Sequence, residues 1–185
     1  MTEKNHYKSA IAEYRKAIKL KPDYADAHRG LAYALGMTND DVGAIPEYRK
    51  AIKLKPDDDA AHRGLAQTLD ATKDYVGAIS EYRKAIKLNP DYAQTYDLLA
   101  DSLHEVGDFK GELEALHKAV KLAPQDWFYY SELGSALERQ GSLQEALSAY
   151  EKSLKLYPDK SVQDSYNSLK RNMSGQNTVV GGPPQ

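Results

Sequence analysis

Residues 13–23 read EYRKAIKLKPD. The same letters return unchanged at 47–57, and again at 81–91 as EYRKAIKLNPD. Looser copies are ALHKAVKLAPQ at 115–125 and AYEKSLKLYPD at 149–159. The prolines keep the count: Pro22, Pro56, Pro90, Pro124 and Pro158 each stand 34 residues after the last. A fixed period of this size marks a stacked repeat, in which one helical unit buries its apolar face only against its neighbours. The chain therefore reads as a solenoid.

Inside each period the apolar residues fall at helical spacing. Leu31, Ala32 and Leu35 share a face with His28. The same slots hold His62, Leu65, Ala66 and Leu69, then Tyr96, Leu99, Ala100 and Leu103, then Tyr130, Leu133, Gly134 and Leu137. This i, i+3, i+4, i+7 stripe predicts the first helix of each unit. The second helix carries Ala44, Ile45, Tyr48, Ala51 and Ile52 in one unit, and Ala78, Ile79, Tyr82, Ala85 and Ile86 in the next. Its alanines let helices approach closely, and its tyrosine fills the space between them. Asn39, Lys73, Gly107 and Gly141 occupy the turn between the two helices, where a left-handed conformation is expected. Gly and Asn tolerate it, and Lys73 bears a cost of roughly 1 kcal/mol. The proline ends the second helix; Asp23, Asp57 and Asp91 just after it, and Asp126 two residues on, are expected to cap the next.

Helix, tight turn, helix and proline stop together resemble the tetratricopeptide repeat. The family's A-x3-F…P signature is matched by Ala44, Tyr48 and Pro56, by Ala78, Tyr82 and Pro90, and by Ala146, Tyr150 and Pro158. The W-x2-L-G-x2-Y half is matched loosely: its aromatic slot holds His28, His62, Tyr96 and Tyr130, and its glycine slot holds alanine except at Gly134. The third full unit departs further, with Glu112 at the packing alanine and Leu116 at the aromatic. The resemblance covers about residues 5–160. It implies an all-α fold, a right-handed superhelical solenoid of antiparallel helix pairs whose first helices line a concave groove.

The expected divisions follow the period. Residues 1–24 hold the second helix of a truncated N-terminal repeat, and the full repeats are 25–58, 59–92, 93–126 and 127–160. Residues 161–173 form a C-terminal capping helix, with Val162, Tyr166, Leu169 and Met173 on its apolar stripe, and 174–185 form a flexible tail. The first helix lacks a partner in this scheme, so Ala10, Tyr14 and Ala17 should present an uncovered apolar edge. That edge implies either a chain cut from a longer array or a surface that docks onto something.

Composition narrows the function. A formal net charge of −2 gives no bulk attraction to nucleic acid or anionic membrane. No apolar stretch approaches the ~18 residues of a membrane span, and MTEKNHYKSA lacks the basic-then-apolar run of a secretory signal. A soluble, cytoplasmic protein is the expectation. The absence of cysteine excludes disulfides and thiolate chemistry. His6, His28, His62, His104 and His117 have no metal-ligand spacing, and His28 and His62 read as packing residues in an aromatic slot. Asp97 and Asp101 share a helix face but read as solvated groups. No catalytic constellation, cofactor motif or metal site is expected.

Two surfaces remain. Arg15, Lys16, Lys19 and Lys21 recur as Arg49, Lys50, Lys53 and Lys55 and as Arg83, Lys84 and Lys87, a basic ridge on the second helices. Cations near helix C-termini complement the macrodipole, and no aromatic residues interleave for base stacking, so the ridge reads as a solvated face. The groove face implied by the resemblance carries Asp26, Arg29 and Tyr33; Arg63, Gln67 and Asp70; Gln94, Asp97, Asp101, His104 and Glu105; then Phe128, Ser131, Ser135 and Glu138. Family members that clamp acidic chaperone tails use Lys, Asn, Asn, Lys and Arg there. The equivalent slots here hold Arg29, Tyr33, Gly64, Gln94 and Leu98, or Arg63, Gln67, Leu98, Phe128 and Glu132, so that role is not expected. Gly30 and Gly64 lie inside helices, each at roughly 1 kcal/mol relative to Ala, either for backbone approach by a ligand or by duplication of AHRGLA. Trp127 reads equally as packing on the preceding loop or as a ligand anchor.

The function expected is a non-catalytic protein-interaction module. Its candidate groove residues are Arg29, Tyr33, Arg63, Gln67, Asp70, Asp97, Asp101, Glu105, Phe128, Ser131, Ser135 and Glu138. Its partner would be a protein or peptide with a basic segment toward the acidic end and an acidic or carboxyl-terminal group toward Arg29 and Arg63, with no nucleic acid and no membrane. The alternatives are a solenoid that self-associates through its N-terminal edge, and the recognition arm of a larger enzyme or sensor.

Overall fold

The computed structural model describes residues 3–177. Among them are ten helices and no strand: α1 (Glu3–Leu20), α2 (Ala25–Gly36), α3 (Asp41–Leu54), α4 (Asp59–Ala71), α5 (Tyr75–Leu88), α6 (Ala93–Glu105), α7 (Phe109–Leu122), α8 (Trp127–Arg139), α9 (Leu143–Leu156) and α10 (Lys160–Asn177). Even-numbered helices from α2 to α8 are the first helices of the period; α3 to α9 are the second. The final helix is longer than its apolar stripe suggested, so residues 174–177 are helical. The rest of the expected tail, 178–185, lies outside the described residues.

The chain forms two compact units, Met1–Gly107 and Asp108–Gln185. The division falls inside the third period, the one in which Glu112 stands at the packing alanine. In the first unit α2 packs on α3 and α4 on α5, while α1, α3 and α5 pack on the first helix of the next period. The first helices α2, α4 and α6 also touch in succession. In the second unit α7 packs on α8, α8 on α9, and α9 on α10.

The turn residues take the backbone that the sequence demands. Asn39, Lys73, Gly107 and Gly141 have φ of 66°, 65°, 78° and 79°. Just after that residue, the amides of Asp40, Asp74 and Ser142 donate back to Leu35, Leu69 and Leu137 carbonyls at 2.9 Å, closing the first helix. The alanines that permit close approach, Ala44, Ala78 and Ala146, are fully buried.

Three of the four expected helix caps change. The caps of α2, α4 and α6 lie one residue later than expected, at Tyr24, Asp58 and Tyr92, and only Asp58 uses its side chain, accepting from the Ala61 amide at 3.1 Å. Asp126 caps α8 as expected, accepting from Phe128. The second helices have their own caps: Asp40, Asp74 and Asp108 accept from the amides of Gly43, Gly77 and Gly111 at 2.9–3.0 Å.

His28 and His62 are buried, but they do more than pack. Each places Nδ1 2.6 Å from a glutamate of the following helix, Glu47 or Glu81, and Nε2 about 3 Å from the Pro22 or Pro56 carbonyl. Tyr96 keeps the second contact, its hydroxyl donating to the Pro90 carbonyl at 3.0 Å. That slot thus ties α2, α4 and α6 each to the proline stop before it.

Candidate functional site

The site in the first unit begins with tyrosines lying against glycines. A Cβ on Gly30 would lie 2.4 Å from the Tyr14 ring, and one on Gly64 would lie 2.5 Å from the Tyr48 ring. Each glycine sits on a first helix, and each tyrosine comes from the second helix before it. Without side chains there, the rings settle onto the helix backbone and leave a cavity of about 600 Å³ between successive first helices. The group that lies against each glycine is the chain's own tyrosine, which neither of the two readings had named.

Arg29, Tyr33, Arg63 and Gln67 line this cavity together with Tyr14 and Tyr48. The arginines are held in place. Arg29 bonds Asp26 at 3.2 Å, and its Nε lies 3.1 Å from Asp58 without hydrogen-bond alignment. Arg63 lies 3.5 Å from Asp59 and stacks its guanidinium 4.4 Å from the Tyr92 ring centre. Tyr33 is exposed and meets Tyr7 edge-on. Tyr48 is only 5% exposed. Burial and the neighbouring Tyr33 push its phenol up to about 12, against the pull of Arg29 and Arg63.

The acidic residues of the first unit divide. Asp70 is part of a built network: it accepts from the Tyr82 hydroxyl and from Ser102 Oγ, both at 2.8 Å. Burial raises its carboxyl above the usual range, those two hydrogen bonds oppose the rise, and Glu105 adds to it. Tyr82 is fully buried, and burial with the Asp70 carboxylate beside it pushes its phenol up. Asp97, expected on the groove and solvated, is instead buried at 8% exposure. Asp101 and Glu105 are exposed.

In the second unit, Phe128 is exposed at 41%. Ser131 is a correction: it is buried and its hydroxyl donates to the Phe128 carbonyl at 2.7 Å, leaving it no free face. Ser135 and Glu138 both lie beside the Tyr150 hydroxyl, which is 2.9 Å from Glu138 and 3.3 Å from Ser135. The Trp127 ring lies 5.1 Å from that of Tyr157, while its carbonyl accepts from Ser153. Glu112 is buried and paired with Arg139, with Gln140 3.4 Å from its other oxygen.

Among the described residues no group of histidine, aspartate or glutamate is arranged to hold a metal ion, and no helix is long and apolar enough to cross a membrane.

The helix pairs, left-handed turns and proline stops recur in sequence with the family model described as TPR repeat over residues 1–39, and with models described as tetratricopeptide repeat over 43–93 and 127–160. The chain belongs to the tetratricopeptide-repeat family. Its solved neighbours carry the same fold. The crystal structure of MamA protein is 25% identical with a TM-score of 0.77, over 85% of this chain and 86% of that one. A MamA form from Desulfovibrio magneticus RS-1 is 19% identical with a TM-score of 0.75, over 84% and 89%. YrrB, described as a TPR protein with an unusual peptide-binding site, is 22% identical with a TM-score of 0.75, over 87% and 84%. No curated protein matches the chain.

Within this tetratricopeptide array, the sequence analysis did not single out Tyr14 and Tyr48, which line the cavity, as groove residues. Both sit at the family's packing aromatic position, and that role hid the other. The available signal was Gly30 and Gly64, each 16 residues after a tyrosine.

Proposed function

We propose that the chain is a non-catalytic protein-interaction module, and that its first unit holds a peptide or protein segment over the cavity between α2 and α4. One observation carries the reading: an open cavity about 600 Å³ in volume, walled by aromatic rings and edged by two arginines already fixed by their own aspartates. Such a site offers rigid apolar area together with pre-positioned donors, so little ordering cost falls on binding. The description of YrrB as peptide-binding supports the same reading. Asp101 and Glu105, exposed on α6, suit a basic residue further along the segment. Rim charges of this kind steer association more than they hold the partner.

A random twelve-residue peptide library displayed on phage tests this. Peptides selected on the parent should lose at least about tenfold in affinity to Tyr33→Ala with Gln67→Ala, both exposed positions whose loss leaves the core intact. Selected peptides that bind this double variant as they bind the parent would move the site elsewhere. Self-association is the second reading, and α1 favours it: none of its described side chains is buried, whereas Ala44, Tyr48 and Ala51 of α3 all are.

A further inference from the structure

The repeat states, within its own chain, what the tyrosine hydroxyl of the second helix takes as a partner. Tyr82 donates to Asp70 at 2.8 Å and Tyr150 donates to Glu138 at 2.9 Å. Each carboxylate stands 12 residues before its tyrosine, on the first helix of the same period. For Tyr48 that position is Gly36, which has no side chain to offer. The Tyr48 side chain is buried all the same, its hydroxyl makes no hydrogen bond to another described residue, and it faces the cavity that Arg29 and Arg63 line. The hydroxyl is not sealed in: it reaches the open cavity, so the place that a carboxylate fills in the other periods is accessible to a ligand.

We propose that the Tyr48 hydroxyl recognises a carboxylate of the bound segment, an aspartate, a glutamate or a free C-terminus, which takes the place that Asp70 and Glu138 fill from within the chain. The assignment rests on the peptide-binding reading of the same cavity and names the group it selects. The hydroxyl donates to one carboxylate oxygen, and the guanidinium groups of Arg29 and Arg63 offer charge-assisted donors to the other. Arg29 and Arg63 are partly neutralised by Asp26, Asp58 and Asp59, so the phenol supplies direction that the net charge does not.

The probe is the acetylated tripeptide Glu-Glu-Glu with a free C-terminus, compared with acetylated Gln-Gln-Gln amide, titrated into the full chain and followed by two-dimensional amide NMR. The acidic peptide should shift the amides of Gly30, Tyr48 and Gly64, and the neutral one should not. Tyr48→Phe keeps the ring against Gly64, restores the aromatic residue usual in the family, and should weaken the acidic peptide at least about tenfold. Gly36→Asp returns the intramolecular carboxylate; a Cβ there meets nothing nearer than Asp41 at 3.8 Å, so the helix accepts it. It should abolish the shifts from the acidic peptide. Acidic-peptide binding undiminished in Tyr48→Phe, or shifts that avoid this cavity, would overturn the assignment. The two readings fail separately. Library peptides that need Tyr33 and Gln67 but carry no carboxylate and ignore Tyr48→Phe leave the groove standing and remove the carboxylate. Acidic-peptide shifts at Tyr48 without any selectable library peptide keep the carboxylate point and remove the peptide groove.

Discussion

At the scale of single residues, the glycines separate into those that make room and those that merely end a helix. Gly64 makes room: an added Cβ would press on the Tyr48 ring at 2.5 Å, closer than any van der Waals contact. Gly36 ends a helix, and an added Cβ would meet only Asp41, at an unstrained 3.8 Å. The same substitution therefore has opposite signs at the two sites. Gly64→Ala gains about 1 kcal/mol of helix propensity but forces Tyr48 out of its position, an overpacking cost of about 1–3 kcal/mol. We expect a net loss of about 1 kcal/mol in urea unfolding, with weakened peptide binding. Gly36→Ala should gain about 0.5 kcal/mol, as a glycine replaced near a helix end without strain. Equal effects from the two would mean that Tyr48 is not seated against Gly64. The sequence shows Gly64 inside a helix but not what it makes room for, because the tyrosine against it comes from another period.

At the scale of the helix, the parts of the period that arise from the chain's own backbone were legible, and those that depend on partners across helices were not. The 3.6-residue stripe, the proline stops and the left-handed turns at Asn39, Lys73, Gly107 and Gly141 are local, and each reads directly from residue type. The caps show where locality fails. Asp23, Asp57 and Asp91 look like caps because they follow proline, yet the first helix starts one residue further on, where Tyr24 and Tyr92 offer no side-chain acceptor. The second helices carry the better signal, Asp-x-x-Gly at 40–43, 74–77 and 108–111. In each, the aspartate bonds the glycine amide and fills the space that a Cβ would occupy. Asp74→Ala should accordingly destabilise the chain by about 1 kcal/mol, whereas Asp91→Ala should be within about 0.5 kcal/mol of the parent. Thermal unfolding of the two variants side by side checks this; a larger loss at Asp91 would restore it as the cap. His28 and Asp70 illustrate the other limit. Their partners, Glu47 and the Pro22 carbonyl for one and Tyr82 and Ser102 for the other, lie up to 32 residues away, beyond the reach of the i, i+3, i+4 pattern within one helix.

At the scale of the whole chain, the repeat divides the charged surface by helix type. In the first unit the second helices α1, α3 and α5 expose Arg15, Lys19, Arg49, Lys53, Arg83 and Lys87, while the first helix α6 exposes Asp101 and Glu105. That division was visible from the period alone. The groove was less so: Arg29, Tyr33, Arg63 and Gln67 gather at one cavity, but Asp97 and Ser131 turn inward, because an i, i+4 pattern fixes a helix face only to within the width of its neighbours. Stability should be unequal for the same reason that the fold is legible. In a stacked repeat each helix depends on adjacent helices, so protection follows burial helix by helix. None of the described α1 side chains is buried, whereas α2 buries Leu31, Ala32 and Leu35 and α4 buries Leu65, Ala66 and Leu69. Tyr14 lies against Gly30 of α2 but is itself only half-buried. Hydrogen exchange followed by mass spectrometry should therefore show α1 exchanging first in its unit, with α2 to α5 slowest. An acidic ligand bound at Tyr48 should slow exchange in α2 to α4 and, through the shared Tyr14–Gly30 contact, in the second half of α1 as well, leaving its first half unchanged. Protection spread evenly over α1 to α6 would show instead that the unit opens as one body, and that the burial pattern does not set its order of unfolding.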